Sequence, residues 1–308
     1  MKGFITIATG RDKYYIMAHN LLLSYRYHAK VRVPFAILCD RHNEWTNDFD
    51  QVVIIDNPLR SFMDKMRIFD LSPFDETIFI EADCLIYRDL YALWDIFKDS
   101  PDLGVLGDIF PLDSDDGWWK LENLGELKDK VDYKMDCQGG VLYVRNTGKG
   151  LPAFLETCRY IRSHYQDYRF RIFETVPQDE TILTLASAVH HYRPVKRWVE
   201  VFAFYPETRF HHLDMCSGTL DYEWTRFPGT RYQNSFLIHF GTAHVLNGWI
   251  YNREAFKLRK KPLQFSDWVD FCMIWLRCKV NHSKPLKTIS RLFSRQFRSK
   301  LALEKESL

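Results

Sequence analysis

The chain has 308 residues, enough for one large α/β core or a core with an appendage. A content of 46% hydrophobic and 16% aromatic residues excludes a disordered chain, and a formal net charge of +2 excludes a nucleic-acid binder of the broadly basic type. The seven cysteines (Cys39, Cys84, Cys137, Cys158, Cys216, Cys272, Cys278) are scattered with no Cys-x-x-Cys pair, so neither zinc spacing nor a disulfide framework is expected, and a reducing cytosol fits.

Phe4–Ala8 and Pro34–Cys39 read as buried strands, and between them Tyr14–Tyr27 shows helical spacing through Ala18, Leu21, Leu22 and Tyr25. Val52–Ile55 is a third strand and Phe62–Phe69 a short helix. Thr77–Ile80 is a strand that stops abruptly on two carboxylates, Glu81 and Asp83. Leu103–Leu106 and Gly140–Val144 continue the alternation of strand and helix, which predicts a parallel sheet covered on both faces. Leu151–Tyr165 and Thr181–Ala188 read as helices, the second opened by Pro177-Gln-Asp-Glu180, with proline and acids where a helix start favours them. Ser235–Ile238 is a late strand.

Two long segments resist assignment and are expected to form cleft loops. Asp113–Asp136 is acidic and carries Trp118 and Trp119 as a candidate stacking platform; Tyr205–Asn234 is rich in Gly, aromatics and His, with His211 and His212 as loop residues. The composition shifts at Lys261, dividing the chain into a domain at 1–260 and a tail at 261–308. Lys279–Lys300 holds seven basic and no acidic residues. Within it Leu286, Ile289, Phe293 and Phe297 recur at helical steps among Lys284, Lys287, Arg291, Arg295 and Arg298, the pattern of an interfacial helix on anionic lipid. With no long apolar run in the sequence, the expected location is the cytoplasm, peripheral at the inner face of a membrane.

In an open α/β sheet, ligands bind beyond the carboxyl ends of the strands. An acid-x-acid there is placed to hold a metal ion against a phosphate; the plain alternative is a turn that caps the helix beginning near Leu90. Five further features fall in order around it. Thr6-Ile-Ala-Thr-Gly10, followed by Tyr14, closes the first strand with small residues where a base or ribose can lie against backbone. Lys65 precedes the acid strand, Gln138-Gly-Gly-Val141 opens a later strand, and Asp179-Glu180 heads a helix. His239-Phe-Gly-Thr-Ala-His244 ends the strand at Ser235–Ile238.

In this order the motifs resemble those of the retaining GT-A glycosyltransferases of family 8, the glycogenin and bacterial lipo-oligosaccharide galactosyltransferase group. Thr6-Ile7-Ala8-Thr9 is similar to that family's nucleotide-binding first strand, Lys65-Met66 to its Lys-Leu, and Glu81-Ala82-Asp83 to its Asp-x-Asp. Gln138-Gly139-Gly140-Val141 resembles its Asn-Ala-Gly-Val, and Asp179-Glu180-Thr-Ile-Leu183 its Asp-Gln-Asp-Ile-Leu. The stretch from His239 to Trp249 resembles its closing His-x-x-Gly-x-x-Lys-Pro-Trp. The departures are Glu81 for the first aspartate, Gln138 for asparagine, Glu180 for glutamine, and a final lysine missing or replaced by His244.

The resemblance implies a GT-A, Rossmann-like fold and hexose transfer from a UDP-sugar to a hydroxyl of a carbohydrate or glycolipid acceptor, with retention. It implies Mn²⁺ or Mg²⁺ on Glu81, Asp83 and His239, and catalytic roles for Asp179 and Glu180. The nucleotide sugar would meet Thr6, Ile7, Ala8, Thr9, Tyr14, Lys65, Glu81, Ala82, Gln138, Gly139, Gly241 and His244. An inverting relative would need a base near the acceptor, where Glu180 or Asp136 could serve. A nucleotidyltransferase would carry a Gly-rich basic loop after the first strand, whereas Thr9-Gly-Arg-Asp-Lys13 has one glycine. A non-catalytic sugar-nucleotide or glycan-binding module is the remaining alternative.

Overall fold

The structure is a computed structural model that describes residues 1–171, 176–196, 198–241 and 248–258, with Val245, Cys272, Met273, Trp275 and Leu276 besides. Two compact units are present, Met1–His239 and Phe240–Leu308. His244 lies outside the described residues, as does the basic tail, of which only Cys272, Met273, Trp275 and Leu276 are described beyond residue 258. Among the described residues no helix is long and apolar enough to cross a membrane.

A six-stranded sheet organises the first unit. Strands β1 (Lys2–Ala8), β2 (Phe35–Cys39), β3 (Gln51–Ile54) and β4 (Glu76–Ile80) are parallel, in the spatial order β3-β2-β1-β4. β2 is buried at every residue, which is why its sequence is an unbroken apolar run with no polar alternation. β5 (Cys84–Ile86) leaves the sheet; β6 (Leu103–Leu106) rejoins it at the far edge. β7 (Ile109–Phe110) and β8 (Lys134–Met135) pair with each other, and β9 (Gln138–Arg145) then enters between β4 and β6, antiparallel to both. The parallel pattern expected to run on through Gly140–Val144 is corrected here. Between β6 and β9 the chain forms only short pieces and no α-helix, so nothing carries it back across the sheet before it re-enters.

Helix α1 (Asp12–His28) follows β1 and buries Tyr15, Ala18, Leu21, Leu22 and Tyr25. Tyr25 meets Phe4 and Phe35 edge to face, each at 5.3 Å between centroids. Ser24 Oγ accepts the Ile86 N–H at 3.0 Å, which pins β5 to this helix. The helix expected at Phe62–Phe69 forms as a 3₁₀ segment, Phe62–Arg67, running into α2 (Ile68–Leu71). After α3 (Leu93–Ile96) and α4 (Leu151–Ser163), which has proline in its first turn, comes α5 (Asp179–Val189), buried along nearly its whole length.

The segment Tyr205–Asn234, expected to be irregular, is a three-stranded antiparallel sheet of β11 (Thr208–Asp214), β12 (Thr219–Trp224) and β13 (Arg231–Tyr232), so His211 and His212 are strand residues. Its signal is the period-two set Leu220, Tyr222 and Trp224, all buried, which polar neighbours and a glycine turn obscure in the sequence. On either side of it, after α6 (Trp198–Val201), β10 (Phe202–Phe204) and β14 (Leu237–His239) pair in parallel.

For Trp119 the expected stacking platform is also corrected. Trp119 is fully enclosed, in one cluster with Leu124, Tyr133, Phe154 and Ile182, while Trp118 is half-buried and packs against that cluster. A tryptophan removed from water on every side has no face left for a sugar.

Described by itself, the second unit holds α7 (Trp249–Lys257). There Glu254, fully buried, accepts from Arg253 at 2.6 Å and pairs with Lys257 at 3.1 Å.

Candidate active site

β4 ends at Ile80, and the Glu81 N–H donates to Gly140 O at 3.0 Å, one more rung of the β4–β9 ladder. The Cys84 N–H then donates to Glu81 O at 3.1 Å, closing a turn around Glu81, Ala82 and Asp83. Beyond that turn β5 pairs antiparallel with β14 so that Cys84 lies opposite His239. That register brings a histidine from far along the chain beside the acids. His239 Nε2 is 2.7 Å from Glu81 Oε2 and 3.3 Å from Asp83 Oδ1. One ligand atom from each of Glu81, Asp83 and His239 lies within 4.8 Å of the other two. Two carboxylates and an imidazole converging in this way fit a hard to borderline divalent cation, Mn²⁺ better than Ca²⁺, with Mg²⁺ within range.

Lys65 comes from the 3₁₀ segment before β4 and is buried, with its side chain 5% exposed. A lysine is rarely so enclosed unless paired, and this one is: Nζ is 2.5 Å from Glu81 Oε1, forms an ion pair with Asp179, and donates to Gly139 O at 3.1 Å. Asp179 and Glu180 occupy the first turn of α5, where the helix dipole favours negative charge. Glu180 Oε1 accepts the Gly139 N–H at 2.7 Å. Gly139 and Gly140 are therefore close-approach glycines. A Cβ on Gly139 would stand 2.7 Å from Glu180 and 3.0 Å from Lys65; one on Gly140 would stand 3.0 Å from His239 Nδ1. Gln138, half-buried, begins the same strand.

Electrostatically this cluster is crowded with acid. Burial alone would lower Lys65, but Asp179 and Glu81 more than reverse that and hold it a cation above the ordinary lysine range. Burial would raise Glu81; Lys65 and then His239 hold it well below the usual carboxylate range. His239 is likewise lifted well above an ordinary histidine, because Asp83 and Glu81 outweigh the effect of burial. One lysine cannot serve every acid. Glu180 is pushed up to about 7, first by burial and then by Asp179, with Lys65 and the Gly139 N–H only partly opposing them.

At the end of β1, Thr6 is wholly buried within the sheet and its Oγ1 has no hydrogen-bond partner among the described residues. Ala8 is buried, while Ile7, Thr9 and Tyr14 are half-buried, and Lys13 Nζ sits 4.6 Å over the Tyr14 ring. Gly10 takes a left-handed φ of 81°. Its N–H donates to Asp40 Oδ2 at 3.1 Å and its carbonyl accepts from Arg41 at 2.6 Å, so the residues ending β2 grip both backbone groups of this turn. Asp64, 2% exposed, accepts from Thr9 Oγ1 at 3.3 Å. The sequence gives no motif for Asp40, Arg41 or Asp64; the only cue is an acid or base just past an apolar strand. Gly241, with φ 70°, belongs to the second unit, where it accepts from the Val245 N–H at 3.3 Å.

No protein-family model matches the sequence, and no curated protein does. Solved structures do. An active-site mutant of LgtC aligns with 86% of this chain and 99% of its own, at a TM-score of 0.50 and 13% identity. The bifunctional glycosyltransferase WbbM aligns with 89% of this chain at a TM-score of 0.51 and 12% identity, and this chain spans 51% of it. The galactosyltransferase LgtC in complex with donor and acceptor sugar analogs gives a TM-score of 0.49 at 13% identity, over 84% of this chain and 97% of that one. The fold is that of the GT-A glycosyltransferases.

Proposed function

We propose that this chain is a metal-dependent glycosyltransferase that moves a hexose from a UDP-sugar to a hydroxyl of a carbohydrate or glycolipid acceptor, with retention at the anomeric carbon. The observation that carries the reading is the convergence of Glu81, Asp83 and His239 at the mouth of a GT-A sheet, next to Asp179 and Glu180. Glu81, Asp83 and His239 would hold Mn²⁺ or Mg²⁺, which when bound supplies Lewis-acid stabilisation of the charge that gathers on the departing diphosphate.

Lys65 orders the acids: by joining Glu81 to Asp179 it fixes the β4 end against the first turn of α5. Asp179 orients the sugar hydroxyls. Glu180, held at Oε1 by the Gly139 N–H, lies under the anomeric carbon and meets the positive charge that develops there, as a stabilising carboxylate or as the attacking group. The end of β1, with Thr9 and Tyr14, receives the ribose and base.

Slow hydrolysis of UDP-hexoses by the purified protein, with and without Mn²⁺ and no acceptor present, tests the proposal. Metal-stimulated release of UDP from at least one UDP-hexose is expected. Binding of UDP with no release on any donor or acceptor would instead identify a sugar-nucleotide-binding module.

A further inference from the structure

Arg60 sits with φ 55°, in the left-handed region that favours glycine. Asn57, three residues earlier, also has a positive φ of 52°, but asparagine tolerates that conformation and arginine does not gain from it. The strain at Arg60 is imposed by a built support. Asp64 accepts the Leu59 N–H at 2.8 Å and the Arg60 N–H at 2.7 Å, and the same carboxylate accepts the Thr9 hydroxyl. The loop after β3 is thereby tied to the end of β1. A long side chain kept where glycine would be easier, on a backbone fixed by a buried acid, points to a task for the side chain.

Its position says which task. The Arg60 stem lies over Gly10, whose added Cβ would stand 3.6 Å from Arg60 Cδ. Its side chain is 68% exposed, and its guanidinium is 3.6 Å from Asp40 Oδ2 at the end of β2. Across the sheet the order is β4, β1, β2, with about 5 Å between neighbouring strands. A donor whose diphosphate rests at the acids ending β4 lays its ribose over β1 and its base towards β2. Arg60 is then a cation at the base end of the site, roughly 10 Å from the metal ligands and too far out to serve the diphosphate.

We propose that Arg60 is a specificity-determining residue for the donor's base, resting on the donor reading above: its guanidinium donates to a base that presents carbonyl oxygens, as uracil does, and disfavours one that presents an amino group there, as cytosine does. A guanidinium only donates, so an exocyclic amine facing it has nothing to offer. Asp40 keeps the side chain at the mouth, and Asp64 keeps the backbone beneath it in place.

The test is titration of UDP and of CDP, each with Mn²⁺, into the full-length protein and into Arg60→Gly, Arg60→Lys and Asn57→Gly. Glycine relieves the strain at position 60, so the thermal midpoint of Arg60→Gly is expected to hold or rise while its UDP affinity falls about tenfold. CDP affinity is expected to stay the same, so the preference for UDP collapses. Arg60→Lys should retain part of the preference, and Asn57→Gly, which places a glycine in the same loop without removing a charge, all of it. An Arg60→Gly protein that still prefers UDP over CDP as the unaltered chain does overturns the role of Arg60 and leaves the donor reading standing. An unaltered protein that binds neither nucleotide overturns both.

Discussion

At the end of β4, four carboxylates, Glu81, Asp83, Asp179 and Glu180, gather around one lysine and one histidine, all largely shielded from water. Two strands away, at the end of β2, Asp40 and Asp12 meet Arg41 and Arg60, and both guanidinium groups are exposed. The outer group is balanced, and although Asp40 is only 7% exposed its two arginines reach into water, where ion pairs contribute little. The inner group keeps an excess of negative charge even with Lys65 and His239 both cationic. Enclosed acids without enough cations are costly for a fold, and a divalent ion between Asp83, Glu81 and His239 would offset that cost. The inner cluster is thus arranged as a cation site would be, whereas the outer one grips the turn at Gly10 and leaves its arginines open to solvent.

The sharpest break of this contrast is Asp83→Ala. Removing one ligand from the three should reduce Mn²⁺-dependent hydrolysis of a UDP-hexose by at least about a hundredfold, since the charge stabilisation lost amounts to several kcal/mol. Because the cluster already holds more acid than cation, and His239 keeps Glu81 as a partner, the metal-free thermal midpoint should stay close to that of the unaltered chain. Near-normal metal-dependent release of UDP by the variant would remove the metal assignment.

Lys65→Met asks whether burial separates the two clusters in stability. It leaves Glu81 and Asp179 without their shared cation in an enclosed place, and a loss of about 3–5 kcal/mol in urea unfolding is expected. Arg60→Met, which removes a largely exposed cation while the Gly10 N–H and Arg41 still hold Asp40, should cost less than about 1 kcal/mol. Equal costs would mean that both clusters are held by the same screened interactions.

The two glycines that open β9 allow a finer cut. An added Cβ presses on Glu180 and Lys65 at Gly139 and on His239 at Gly140, and overpacking of this kind costs about 1–3 kcal/mol. Gly139→Ala should therefore lower turnover with little change in the Mn²⁺ concentration needed for half activity. Gly140→Ala should raise that concentration more than it lowers saturated turnover. The reverse pattern would exchange the roles assigned to Glu180 and His239.

What the sequence carries of this arrangement follows from how each part is encoded. β1, β2 and β4 are legible because strands covered on both faces must be continuous apolar runs, and acids that interrupt such a run at its end stand out. The direction of β9 is not legible, since Gly140–Val144 is equally apolar in either sense, and only the lack of a helix after β6 decides it. Thr208–Trp224 hides a sheet because its polar face and a bulge between Phe210 and His212 interrupt the alternation. Lys65 looks like any helix lysine in the sequence. Its burial depends on Asp179, more than a hundred residues on, and such long-range pairing leaves no local pattern. The same holds for Asp64, whose partner Thr9 lies 55 residues earlier in the chain.

The smallest expected effect concerns the inner cluster's weakest acid. Glu180 is raised from an ordinary value near 4.5 to about 7, by burial first and by Asp179 second. A carboxyl raised on folding favours the protonated form in the folded state. Its contribution to stability is then fully present below about pH 4.5 and is lost as pH climbs through about 7, where the folded protein must ionise a group that the unfolded chain ionises more easily. Glu180→Gln cannot ionise, yet its side-chain carbonyl can still accept the Gly139 N–H that Oε1 accepts at 2.7 Å. Without metal, the variant and the unaltered chain should therefore melt alike near pH 4.5, and the variant should gain progressively between pH 5 and 8. Turnover should fall in the variant at every pH, because an amide cannot meet positive charge as a carboxylate does. If the unaltered chain is the more stable of the two at pH 8, Lys65 supports an ionised Glu180 more strongly than Asp179 opposes it, and the inner cluster is less starved of positive charge than its geometry implies.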